Sequence, residues 1–107
     1  MKTYSVSIIE MARYQDGDGS YTISGFPTFE IAREFARRWV RDSIEELRRP
    51  ALSPEELRRV WFLFGEDAVV IGDEYFAGSQ ELDFFIINPA TPEERDWKAV
   101  KQQAGIE

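Results

Sequence analysis

The stretch FPTFEIAREFARRWVRDSIEELRRP constrains this chain more than any other. Ala32, Phe35, Ala36, Trp39, Val40, Ile44 and Leu47 recur at intervals of three and four, which places them on one face of an α-helix. Pro27 and Thr28 supply a stop and an N-cap, Glu30 puts acid in the first turn, and arginines precede Pro50. The spacing predicts a helix of about five or six turns at 3.6 residues per turn. An apolar stripe of that length needs a second layer to cover it.

The rest of the chain supplies strands. Between Thr3 and Tyr14, Tyr4, Val6 and Ile8 alternate with Thr3, Ser5 and Ser7, and in SYTISGF Tyr21 and Ile23 alternate with hydroxyl residues. These segments predict a hairpin across YQDGDGSY, with either a bulge or the strand leaving the core where the apolar face changes after Ile8 and Ile9. Asp-Gly fills two-residue turns. A turn at Asp16-Gly17 pairs Tyr14 with Gly19, and one at Asp18-Gly19 pairs Tyr14 with Ile23. As a calcium loop the stretch fails, because Tyr21 stands at the glycine place and Pro27 at the bidentate glutamate place. A turn without metal is expected.

SPEELRRVWFLFG opens with Ser53 as N-cap, Pro54 at the first helical place and Glu56 as capping-box partner, and Gly65 is a natural stop. The strand-forming run VWFLF offers the alternative of pairing with AVVIG, but the caps favour a helix. AVVIGDEYF, AGSQ and ELDFFII predict a second hairpin turning at Gly78-Ser79. TPEERDWKAVKQQAG repeats the capping device with Thr91, Pro92 and Glu94, and predicts a last helix with Trp97, Val100 and Ala104 inward. The expected architecture is one α+β domain over residues 1–107. Two β-hairpins form a four-stranded antiparallel sheet with helices mainly on one face, in the order ββααββα.

At 107 residues, 43% hydrophobic and 14% aromatic, the chain can bury a core without cross-links. It holds no cysteine and no histidine, which removes disulfides, thiolate catalysis and cysteine zinc sites, and fits a cytoplasmic protein. The start, MKTYSVSIIEMARY, has no continuous apolar run of the kind that directs export, and no membrane span is expected. Of the net charge of −7, residues 65–96 carry −8. That bias disfavours nucleic acid and favours basic partners.

No serine has an evident base, and the acidic pairs Glu66-Asp67 and Asp73-Glu74 stand about 23 Å apart along a strand, too far for joint catalysis. No catalytic residue, cofactor or metal ligand is assigned. The second hairpin is apolar on both sides, so either the last helix or another chain must cover it. The expected function is therefore a non-catalytic, acidic protein-binding module that self-associates through Tyr75, Phe76, Phe84, Phe85 and Trp97. Glu74, Glu81 and Asp83 would form an acidic patch on one hairpin face. The alternative is a small-ligand or divalent-metal domain using the cleft between long helix and sheet, with Trp39, Trp61 and Tyr75 as its aromatic residues. The arginines Arg33, Arg37, Arg41 and Arg48 read as a salt-bridged helix face, with Glu34–Arg38 and Glu45–Arg49 as favourable pairs.

Overall fold

A computed structural model describes residues 3–16 and 20–106. Strands β1 (Tyr4–Glu10), β2 (Ser20–Phe26), β3 (Glu66–Ile71) and β4 (Phe76–Ala77) form one antiparallel sheet in the order β2-β1-β3-β4. The helices are α1 (Phe29–Leu47), α2 (Pro54–Phe64), α3 (Leu82–Ile87) and α4 (Trp97–Gln103). Val6, Ile8, Ala68, Val70 and Phe76 project from the sheet into a core built on Phe35, Ala36, Val40 and Ile44 of α1. The α+β class and the four-stranded antiparallel sheet agree with expectation.

Helix α1 begins as its sequence demands, with Thr28 Oγ1 accepting from Ile31 N at 3.2 Å. In α2 both halves of the Ser53–Glu56 capping box are made, so VWFLF is helical and not a strand. Helices α2, α3 and α4 all pack against α1. The opposite sheet face carries Ser5, Ser7, Thr22 and Ser24 beside Ile9, Val69 and Ile71, with a Ser5–Ser24 hydroxyl hydrogen bond of 3.1 Å.

Three expectations need correction. The first hairpin pairs Ile8 with Tyr21 and Ile9 with Ser20, neither of the two expected registers. The chain leaves the ladder after Glu10 into a 3₁₀ turn (Met11–Asp16), whose first N–H donates to Gly65 O at 2.9 Å. Inward parity is kept, with Val6 and Ile8 opposite Ile23 and Tyr21. Of the two outcomes expected after Ile9, the strand leaves the sheet there, and the bulge falls instead between Tyr4 and Ser5, where Gly25 on the partner strand is unpaired at φ +101°, a conformation that suits glycine. The Asp-Gly turn and its metal-free assignment involve residues 17–19, outside the described residues.

The second hairpin is the larger correction. Strand β3 pairs with β1 on one side and with only two residues of β4 on the other. After Ala77 the chain makes a 3₁₀ turn (Gly78–Glu81) and then α3, so ELDFFII is helical. Leu82, Phe85 and Ile86 are buried, at positions i, i+3 and i+4, against the other helices. As a strand this segment would have turned Phe84 and Ile86 toward the hydroxyl-bearing face, where nothing covers them. Gly78 permits the redirection, because a Cβ there would lie 2.4 Å from Val40 Cγ2. Asp67 anchors the turn, accepting from Ser79 N at 3.0 Å and Ser79 Oγ at 2.6 Å.

The last helix starts later than expected. The Thr91–Glu94 capping box is made, yet it opens only a 3₁₀ turn (Glu93–Arg95), and α4 begins afresh with Asp96 as N-cap. The cause is Asp42, which accepts from Arg95 Nε at 2.7 Å and Trp97 Nε1 at 3.1 Å. On one continuous helix residues 95 and 97 would point about 200° apart, so both could not reach a single carboxylate.

Candidate functional site

The structure disperses the expected interface. Phe76 and Phe85 are core residues at 6% and 1% exposure, whereas Tyr75 and Phe84 are exposed. Trp97 does not cover the second hairpin; its ring lies 4.3 Å from that of Trp39 and 6.0 Å from that of Phe35. The acidic patch is dispersed as well. Glu81 pairs with Arg37 at 2.9 Å, in an ion pair not aligned as a hydrogen bond, and Asp83 pairs with Arg58 at 3.0 Å. Glu74 lies apart in the exposed turn before β4. Among the described residues no group of three acidic side chains is placed to hold a metal ion.

The arginine face of α1 is roofed over by β4 and the segment that follows it. Arg33 stacks on Phe76, and Arg37 and Arg41 on Phe85, with guanidinium-to-ring distances of 4.9, 5.6 and 4.7 Å. Arg41 donates to Asn88 O at 2.7 Å, and Arg48 to Ile86 O at 2.9 Å and Phe85 O at 3.2 Å. These are carbonyls at the C-terminal end of α3, which a six-residue helix cannot satisfy internally. Glu34–Arg38 is paired as expected, but Glu45 takes Arg48, not Arg49, which instead donates to backbone carbonyls. Burial pushes the Glu45 carboxyl up, yet the Arg48 hydrogen bonds, the Ala90 N–H and the Arg48 and Arg95 charges leave it below the ordinary value.

Two surfaces among the described residues bear on function. The first is an apolar groove between α2 and α3, lined by Pro54, Arg58, Asp83, Ile86 and Ile87, with a volume of about 270 Å³. Phe62, whose ring lies 4.9 Å beneath the Arg58 guanidinium, extends this surface along α2. Phe62, Leu63, Phe84 and Ile87 are between 41% and 69% exposed. Phe84 was anticipated as an interface residue, and Phe62 and Leu63 fall off the apolar stripe of α2; Ile87 and Phe62 come to one groove only through the α2–α3 packing.

The second is a cavity of about 240 Å³ at the C-terminal half of α1. Trp39, Asp42, Ser43 and Glu46 line it from α1, Phe64 and Glu66 from the α2–β3 junction, and Trp97 from α4. Glu66 Oε1 accepts from Trp39 Nε1 at 2.8 Å, so the indole turns its edge to the carboxylate. Below the cavity Ser43 Oγ accepts from Trp61 Nε1 at 3.0 Å and from Glu66 N at 2.9 Å, locking α1, α2 and β3 together. Tyr21 meets the Trp39 ring edge-on at 6.3 Å, and burial, Glu66 and Glu10 raise its hydroxyl pKa. Of the aromatic residues expected in such a cleft, Trp39 lines the cavity, Trp61 is fully buried and Tyr75 is elsewhere. Glu66 stood out in the sequence only as half of an acidic pair, and no motif links it to Asp42, Glu46 and Phe64.

No family model, no curated protein and no solved structure matches the chain. Among the described residues no helix is long and apolar enough to cross a membrane.

Proposed function

We propose that the protein is a non-catalytic binding module that self-associates through the α2–α3 surface. One observation carries the reading: Ile87, 69% exposed, lines the α2–α3 groove, Phe62 adjoins it beneath Arg58, and Leu63 and Phe84, next to them in the two helices, are large exposed apolar residues as well. Contiguous apolar surface of this kind marks interaction sites. A second copy of the chain is the fitting occupant. Helix α2 carries Glu55 and Glu56 against Arg58 and Arg59, so it is charge-balanced within a chain of net charge −7. Two acidic copies are therefore not repelled there. Arg58 and Asp83, 3.0 Å apart across the groove, can exchange partners about a two-fold axis, as an isologous interface requires. In this reading Phe84 keeps the role expected of it, while Phe76 and Phe85 belong to the core and Trp97 lies elsewhere, against Trp39.

Sedimentation of the wild type and of Phe84→Glu and Ile87→Glu tests this. The wild type is expected to be a dimer and both variants folded monomers with unchanged circular dichroism. A wild type that stays monomeric at every accessible concentration would overturn the reading.

A further inference from the structure

We infer that the cavity between Trp39, Glu46, Phe64, Glu66 and Trp97 is a binding site for an organic cation, with the guanidinium of a partner's arginine side chain as its ligand class. The site stands apart from the α2–α3 groove and does not depend on self-association. Three features converge. The cavity is a concave space of about 240 Å³ to which Trp39, Phe64 and Trp97 contribute aromatic rings among the acidic side chains, and aromatic rings attract cations. Its polar side chains are almost all acceptors: Asp42, Glu46 and Glu66 line it, and the ladder sets Glu10 directly opposite Glu66. Finally, only part of this negative charge is compensated within the chain. Arg95 pairs with Asp42, but among the described residues no lysine or arginine lies within ion-pair distance of Glu46 or Glu66.

The chain already shows the preference of this region for cations. Lys98 Nζ stands 5.5 Å from the centre of the Trp97 ring, and Arg95 reaches Asp42 from the same segment. A wider hollow of about 550 Å³, lined also by Arg95 and Lys98, adjoins the cavity and shares Asp42, Glu46 and Trp97 with it. Guanidinium fits better than a metal ion, because the carboxylates are spread around aromatic rings and do not converge on one point. A planar ion with a propyl stem can lie against an indole while its N–H groups fork to carboxylate oxygens.

The test is titration of the intact protein with N-acetyl-arginine-N-methylamide, followed by the indole N–H resonances. The neutral N-acetyl-citrulline-N-methylamide serves as isosteric control. Saturable shifts of Trp39 and Trp97 with the arginine probe and none with citrulline are expected. Glu46→Gln should weaken binding about tenfold, the magnitude of one charge-assisted contact. Glu46 has no ion-pair partner among the described residues, so that variant keeps the fold; Glu66→Gln preserves an acceptor for Trp39 and provides a second check. Equal response to citrulline, no response up to the probe's solubility limit, or undiminished affinity in both variants would overturn the inference. Persistence of the shifts in monomeric Ile87→Glu would separate this site from the self-association surface.

Discussion

Ser43 is an eight-percent-exposed hydroxyl in the middle of an apolar helix face, and it accepts two hydrogen bonds, from the Trp61 indole and the Glu66 amide. Ser43→Ala orphans both donors, and at roughly 1–3 kcal/mol for a buried group left unpaired the expected loss is about 2–4 kcal/mol. Urea denaturation checks it; a loss below about 0.5 kcal/mol would mean that both donors find other acceptors. Gly65 belongs to the same corner for a steric reason. Its backbone is extended, but a Cβ would fall 2.2 Å from the Trp61 ring. The sequence announced Gly65 as a helix stop, which it is. It could not announce that Trp61 lies across that stop, since this follows from where α1 places Ser43.

Helix α3 is the element whose identity the tertiary structure decided. Its six residues are too few to be stable alone, and its aromatic and β-branched residues favour strands. It is helical because α1 presents Arg41 and Arg48 to the carbonyls at its end, and because Leu82, Phe85 and Ile86 fill one side of the core. Arg48→Met keeps most of the side-chain volume and removes those donors, with an expected cost of about 1.5–3 kcal/mol. Hydrogen exchange should quicken in residues 82–90 before it does in the sheet. Unchanged protection there would show that packing alone holds α3. The helical spacing of Leu82, Phe85 and Ile86 was present in the sequence, but so was an alternation equally suited to a strand. Short apolar runs are ambiguous in this way until the surroundings choose.

For the whole molecule, Glu45 makes global stability depend on pH. Its folded pKa lies below the unfolded value of 4.5, so its contribution is present above about pH 4.5 and is lost as pH falls through the folded value. Glu45→Gln should therefore be less stable than the wild type near neutrality, with the gap closing below about pH 4.5. A gap that stays constant from about pH 7 to about pH 3 would contradict that linkage. The same scale separates what each source of information determined. The sequence alone determined α1, α2, their caps, the inward parity of the first hairpin and the antiparallel α+β plan, because period and cap chemistry are local properties of the chain. The tertiary structure decided the register of β1 on β2, the helical state of residues 82–87, the split of the last helix at Asp96, and the meeting of Trp39, Glu46, Phe64, Glu66 and Trp97. Each of these depends on side chains far apart in sequence satisfying one carboxylate, one set of carbonyls or one core, and no local pattern encodes that competition.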